Sequence, residues 1–339
     1  MIVKILWGLI VAGLVAAGAF WGGLNLQEVI EEKLEVKGCH PLSVDVVTPA
    51  PPTAREGTVR FVALGDQGTG DDAQRAVAGG IAKVCAGGNC DFLVLLGDSF
   101  YPDGLASADD PLIQKAYEDI LAPLGLPAFA VLGNHDAHQH PLPLVLHSLR
   151  SDTWRMPNYA YTFRAGPARF IALNTNCSLL AWESVDDLMD DTADSTDSAD
   201  TAAPAWNIVL GHHSIYSNGP HGDIDSTSRW VWRKSAGSRV DFLLSGHNHT
   251  LEHLRAKDEE DPTEYVISGA GGVPGEGKAV FGETEERKDD ESSPSKATSL
   301  FRLEDGGGFV WIELSAAKAT VRYHGRDGRE LYRFEKTPR

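Results

Sequence analysis

Five times along this chain a short apolar run ends in glycine and hands over at once to a side chain that can bind a metal ion. The runs are RFVALGDQG at 60–68, DFLVLLGDSFY at 91–101, AFAVLGNHD at 128–136, NIVLGHHS at 207–214 and VDFLLSGHNH at 240–249. Segments of this length, rich in Val, Leu and Phe and closed by turn residues, read as buried strands. The carboxyl edge of an open α/β sheet is where strand-to-helix loops converge on a ligand, so the five loops are expected to share one site. Gly65, Gly97, Gly133, Gly211 and Gly246 allow the backbone to turn sharply there and to approach an ion or substrate closely.

The residues delivered are Asp66, Asp98 with Tyr101, Asn134 with His135, His212 with His213, and His247 with His249. Carboxylate, phenol, amide and imidazole together suit a pair of first-row metals; calcium prefers an all-oxygen shell and structural zinc prefers Cys and His. One such motif is an ordinary turn, but five on the same side of five strands are not. Competing chemistry is thin, with no GxSxG elbow, Walker loop or HExxH helix in the chain. GDQGTG at 65–70 and GAGGVPG at 269–275 depart from the nucleotide-binding spacing and read as turns beside the site.

In the order DxG, GDxxY, GNH(D/E), VxxH, GHxH, these motifs resemble those of the purple acid phosphatases within the calcineurin-like metallophosphoesterases. Here they stand as Asp66-Gln67-Gly68, GDSFY, GNHD, Val209 to His212, and GHNH. GDSFYPDGL, Trp154-Arg-Met-Pro before Tyr-Ala-Tyr, and HSIYSNGPHG are similar to the short, tartrate-resistant type, and the resemblance runs from residue 58 to about 326. It implies a four-layer α/β/β/α sandwich. It also implies a ferric ion on Asp66, Tyr101 and His249, a divalent Fe, Zn or Mn on Asn134, His212 and His247, and Asp98 bridging the two. Gly68 stands where many calcineurin-like enzymes have a metal-binding histidine, which together with Tyr101 points to iron. The implied reaction is hydrolysis of a small phosphate monoester by a metal-bound hydroxide. His135, His221 and His213 would then grip the phosphate or protonate the leaving group, and Asp136 would orient a neighbouring histidine. Two alternatives stay open: a divalent-metal phosphodiesterase or nucleotide hydrolase, and an inactive module that binds phosphate or a partner. His40, His138, His140, His147, His253 and His324 lack partnered spacing and read as surface or cap residues.

From Ile5 to Gln27 no residue is charged, which is long enough to cross a bilayer at about 20 apolar residues. Residues 1–27 therefore read as a signal anchor or a cleaved signal peptide, Ala17-Gly18-Ala19 offering a cleavage site while Phe20-Trp21 favours retention. Lys4 held inside would place the remainder outside the cytoplasm. Residues 28–57 are expected to form a charged helix and a Pro-rich spacer before one domain at 58–339, present as a monomer. The four cysteines suggest disulfides: Cys85 with Cys90 is the simplest pair, which leaves Cys39 with Cys177, and four reduced thiols are the alternative. Acidic stretches near 183–203 and 276–298 read as solvated insertions. A formal charge of −18 argues against nucleic acid as a partner. EYVISGAGG, FVWIEL, ATVRYHG and ELYRFE, near the carboxyl terminus, are expected to build a second sheet packed on the first.

Overall fold

The computed structural model describes residues 38–39, 42, 55, 57–177, 181, 185, 188–189, 204–236, 239–258, 260–281 and 295–339. Two sheets carry the fold. The first contains β1 (Val59–Leu64), β2 (Phe92–Leu95), β3 (Ala128–Ala130) and β4 (Trp154–Arg155), with β13 (Gly308–Leu314), β14 (Ala319–Gly325) and β15 (Glu330–Lys336), in the order β15-β14-β13-β1-β2-β3-β4. The second contains β5 (Tyr161–Ala165), β6 (Ala168–Ala172), β7 (Trp206–Leu210), β8 (Phe242–Ser245), β9 (Leu251–Ala256), β10 (Glu264–Ser268), β11 (Glu276–Phe281) and β12 (Ala297–Gly306), in the order β11-β12-β9-β10-β8-β7-β6-β5. The five motif runs are thus strands, but they divide between the sheets, β1, β2 and β3 in one and β7 and β8 in the other. Of the carboxyl-terminal strands expected in a second sheet, only β10 is there. β13 pairs antiparallel with β1 and brings β14 and β15 into the first sheet.

The sheets meet through aromatic side chains. Phe61, Phe92 and Phe129 from the first sheet interlock with Phe163 and Phe170 from the second, with Phe129 stacked on Phe163 at 4.2 Å and Phe61 edge-on to Phe170 at 5.3 Å. Each such ring, fully buried, contributes roughly 1.5–3 kcal/mol. Strands of the second sheet alternate as a two-sided strand must: Phe170, Ile208, Leu210, Phe242 and Leu244 face this inner core, while Ile171, Val209 and Leu243 face an outer one. Helix α1 (Asp72–Val84) covers the first sheet with Val77 and Ile81, its amino end capped by Asp71, which accepts from the Ala73 and Gln74 amides. Helix α2 (Ser226–Ser235) covers the second with Val231 and Trp232. These are the four layers expected.

Some boundaries shift. Val185 and Met189 are buried in the outer core, so the acidic stretch near 183–203 begins with residues that belong to the domain. Glu276–Phe281 forms edge strand β11 against β12, so the second stretch is not wholly a loop. Residues 190–203 and 282–294, the hydrophobic segment 1–27 and most of 28–57 lie outside the described residues. Within the expected spacer, Leu42 is docked on the domain, its backbone bracketed by the Asn158 side chain. Both disulfides form, Cys39–Cys177 and Cys85–Cys90. Among the described residues no helix is long and apolar enough to cross a membrane.

Candidate metal centre

Backbone hydrogen bonds tie the carboxyl ends of the motif strands together: Asp66 N–H to Gly97 O joins β1 to β2, Val131 N–H to Leu95 O joins β3 to β2, Gly246 N–H to His212 O joins β8 to β7, and Gly65 N–H to Ser268 O joins β1 to β10. GDQGTG and GAGGVPG are turns at this edge, linked by Gly271 N–H to Gly65 O. The crowding explains the sequence. A Cβ at Gly68 would lie 2.1 Å from the Ser99 carbonyl carbon, and one at Gly133 would lie 2.1 Å from both Asp98 N and Oδ1. No side chain, histidine included, fits at position 68 while the GDSFY loop passes there.

Asp66, Asp98 and His247 adopt left-handed backbone conformations, at φ of 59°, 52° and 66°. Such conformations cost non-glycine residues on the order of 1–3 kcal/mol each and persist where surroundings over-determine them. Here they turn each side chain back across the strand end. One oxygen of each carboxylate is then taken by an amide of another motif, Asp66 Oδ2 by His247 N–H at 2.9 Å and Asp98 Oδ1 by His135 N–H at 2.8 Å. The other oxygens, Asp66 Oδ1 and Asp98 Oδ2, remain to face the remaining side chains.

Those side chains gather at two adjoining points. At one, Asn134 Oδ1 lies 2.9 Å from His212 Nε2 and 3.0 Å from His247 Nδ1, and the two ring nitrogens are 3.3 Å apart. At the other, the Tyr101 hydroxyl lies 3.4 Å from Asp66 Oδ1 and 3.3 Å from His249 Nε2. Asp98 Oδ2 reaches both, at 3.4 Å from His212 Nε2 and 3.1 Å from the Tyr101 hydroxyl. Two ligand atoms on an octahedral ion at about 2.1 Å from it sit about 3.0 Å apart, which is the spacing observed. His212 Nδ1 donates to Leu96 O at 2.8 Å, leaving Nε2 with its lone pair turned inward. While both rings are neutral, at most one of the three contacts around Asn134 Oδ1 can be a hydrogen bond. Lone pairs thus converge with too few protons between them, an arrangement that suits cations.

The electrostatics agree. Burial drives the Asp66 carboxyl above its usual range. Burial alone would depress His212, but Asp98 and Asp66 outweigh it and raise this imidazole to about 9, so that it takes up a proton where a cation would otherwise sit. His247 is pushed down to about 3 by burial and by the His212 charge. Burial and the two carboxylates drive the Tyr101 phenol far above its ordinary value. That phenol becomes an anionic ligand only to a strongly Lewis-acidic ion.

The remaining expected residues surround these points. His135 lies against Tyr101 at 4.6 Å between ring centres and its Nδ1 donates to Pro102 O. His221 is exposed and stacks on His247 at 4.2 Å. His213 is half-buried, and loss of water around its ring together with the neighbouring His212 and His247 charges holds it well below its usual value. Asp136 does not orient a histidine. Its buried carboxylate accepts from the Ser99, Phe100 and Gly133 amides and so clamps the GDSFY and GNHD loops together. Burial and the Asp98 charge raise it to about 7. Thr175, which sequence reasoning missed, accepts at Oγ1 from the His212 and His213 amides and donates to His213 Nδ1 at 2.8 Å, placing the His213 proton on Nε2. Its only signal was its place at the end of β6. Of the histidines set aside, His138 and His140 are exposed as expected, but His147, His253 and His324 are buried and hydrogen-bonded.

Two packed sheets with this ligand edge define a metallophosphoesterase. The chain belongs to the calcineurin-like phosphoesterases, whose family model matches residues 59–251, and it is accordingly a metal-dependent hydrolase of phosphoric esters. It is 26% identical over 334 residues to purple acid phosphatase 3 of Arabidopsis thaliana, covering 93% of this chain and 87% of that protein. It is also 26% identical to tartrate-resistant acid phosphatase type 5 of Rattus norvegicus, covering 83% of this chain and 91% of the relative. Among solved structures it shares its fold with GAP50, the anchor in the inner membrane complex of Plasmodium, at a TM-score of 0.62 and 22% identity over 83% of this chain and 89% of that one.

Proposed function

We propose that the protein is an acid phosphatase, hydrolysing small phosphate monoesters at a dinuclear centre outside the cytoplasm. The observation that carries this is the convergence of lone-pair atoms on two points that share Asp98, one of them including a phenol. Asp66, Tyr101 and His249 would hold ferric iron, Asn134, His212 and His247 a divalent Fe, Zn or Mn, and Asp98 would bridge them. When bound, such a pair supplies Lewis acidity toward the phosphoryl oxygens and makes water nucleophilic near neutral pH.

The chain's own residues do the rest. His213, neutral and with its proton on Nε2, is a hydrogen-bond donor to a phosphoryl oxygen rather than a second charge. His135 flanks Tyr101 and His221 flanks His247, so one imidazole borders each metal point from the open side. Either is placed to bind the ester or to protonate the departing alkoxide, which acid conditions favour. Asp136 and Thr175 keep the loops in register. Two disulfides suit an oxidising compartment, as does outward placement by residues 5–27.

The fold serves an anchor in GAP50, so it does not by itself imply catalysis; the ligand residues do. The test is turnover of a chromogenic phosphomonoester and the matching diester between about pH 4 and pH 8, before and after metal stripping. Monoester turnover on the acid side, abolished by stripping and restored by iron with a divalent ion, is expected. Turnover of the diester alone would favour the phosphodiesterase reading, and no turnover by a metal-loaded protein would favour a binding module.

A further inference from the structure

Beneath the loop that carries His221 lies a buried carboxylate that no step so far uses. Glu252, in β9, has no solvent exposure. Its Oε2 accepts from the Asn218 amide at 3.0 Å and from the Ser217 hydroxyl at 3.3 Å, and its Oε1 accepts from Asn218 Nδ2 at 2.9 Å. All three donors belong to two consecutive residues of one loop. From the neighbouring strand β12, Arg302 Nη1 donates to the Asn218 carbonyl at 2.7 Å. Ser217 Oγ in turn accepts from Gly219 N–H, and the far end of the loop is held by Asn248 Oδ1, which accepts from the His221 amide at 2.9 Å. The loop is thus fixed at its base by a carboxylate and a guanidinium, and at its tip by an amide from the GHNH motif.

Burying a carboxylate is costly unless its oxygens are satisfied. Here Ser299 of β12 is one partner, and the others come from the very segment that must be held still. We infer that Glu252 is a positioning residue for the reaction: through Ser217 and Asn218 it sets the path of the chain to His221 and so keeps that ring stacked on His247 at the mouth of the site. The inference rests on the substrate role proposed for His221. Small displacements of a group that meets substrate, like loss of partners behind a metal site, cost about 10- to 100-fold in activity.

The test uses the full chain and has two readouts. In metal-free protein with labelled histidine, the His221 ring resonance carries a ring-current shift from His247. In Glu252→Gln it should move toward the solvent-exposed value while the His213 resonance stays in place; an unmoved His221 would overturn the inference whether or not the enzyme is active. In the metal-loaded enzyme, Glu252→Gln should lower kcat/KM for a phosphomonoester by about 10- to 100-fold, but by no more than about twofold in a His221→Ala background. Equal losses in both backgrounds would show that Glu252 acts on the fold and would overturn the positioning role. A His221→Ala enzyme as active as the parent would instead remove the substrate role of His221 while the resonance result stands. Asn218→Ala serves if Glu252→Gln does not fold, with the same direction in both readouts and a smaller change.

Discussion

Two histidine clusters of the protein, one in the core and one at the carboxyl edge, are satisfied in opposite ways. In the cluster between β9, β10 and β15, His253 Nε2 meets Glu264 at 2.9 Å, its Nδ1 meets the Tyr332 hydroxyl at 3.0 Å, Arg255 Nε meets Glu264 at 2.8 Å, and Phe334 stacks on the ring at 3.7 Å. Donors and acceptors there are matched, and the backbone is ordinary strand. At the carboxyl edge, Asp66, Asp98, Asn134, His212 and His247 gather lone pairs with few protons, on three residues in left-handed conformations. Stability without the ions is sacrificed at the second cluster and not at the first. A histidine beside a carboxylate therefore says little about function; the balance of donors to acceptors says more.

The largest effect is expected at Asp98. Asp98→Ala removes the one carboxylate common to both points, so metal analysis should show loss of ions. Turnover should fall by more than the roughly 100-fold that loss of an outer partner costs. The melting temperature of the metal-free protein should barely change, and a large drop would mean that the site is structural like its counterpart. His253→Ala should do the reverse. It strips a buried partner from Glu264 and should cost about 3 kcal/mol in denaturant unfolding, with turnover per folded molecule unchanged.

A smaller effect is expected from Thr175→Val, which keeps the shape but removes the hydroxyl between His212 and His213. Loss of about tenfold in kcat/KM, recovered by Thr175→Ser, would place Thr175 with the site; equal loss in both variants would point to packing alone. The smallest effect concerns pH. Burial lowers His253 below its usual value, so the unfolded chain binds a proton near pH 6.5 that the folded chain refuses, and stability falls as pH drops through that range. Glu264 is pulled down to about 2: burial would raise it, but the hydrogen bonds from His253 and Arg255 prevail. Its contribution is fully present above 4.5 and fades as pH falls toward 2. The stability gap between the parent and His253→Ala should therefore narrow between about pH 7 and pH 5, and a widening gap would contradict the neutral, buried His253.

Much of the edge was legible because strand, turn and ligand are adjacent in the sequence: an apolar run, a glycine, then Asp66, Asp98, Asn134, His212 or His247. What was not legible depends on contacts distant in the chain. Thr175 sits in Asn-Thr-Asn after β6, an unremarkable polar turn until the His212 and His213 amides are brought to it. Asp136 was expected to hold a ring and instead holds three amides of loops that meet only in the fold. In Leu251-Glu-His-Leu, alternation would expose one polar residue, yet Glu252 and His253 are both buried because β9 lies inside its sheet, flanked by β12 and β10, with layers on either face. The placement of β13 to β15 was missed for a similar reason, since strand periodicity identifies a strand and not its neighbour.

A metal count and visible spectrum of the purified protein, beside the same measurements on Tyr101→Phe, separate a paired centre with a phenolate ligand from any other arrangement. Two ions per chain, one of them iron, with a visible absorption band that disappears in Tyr101→Phe, are predicted. A single ion, or a band that survives without the phenol, would contradict the paired centre with Tyr101 as a ligand.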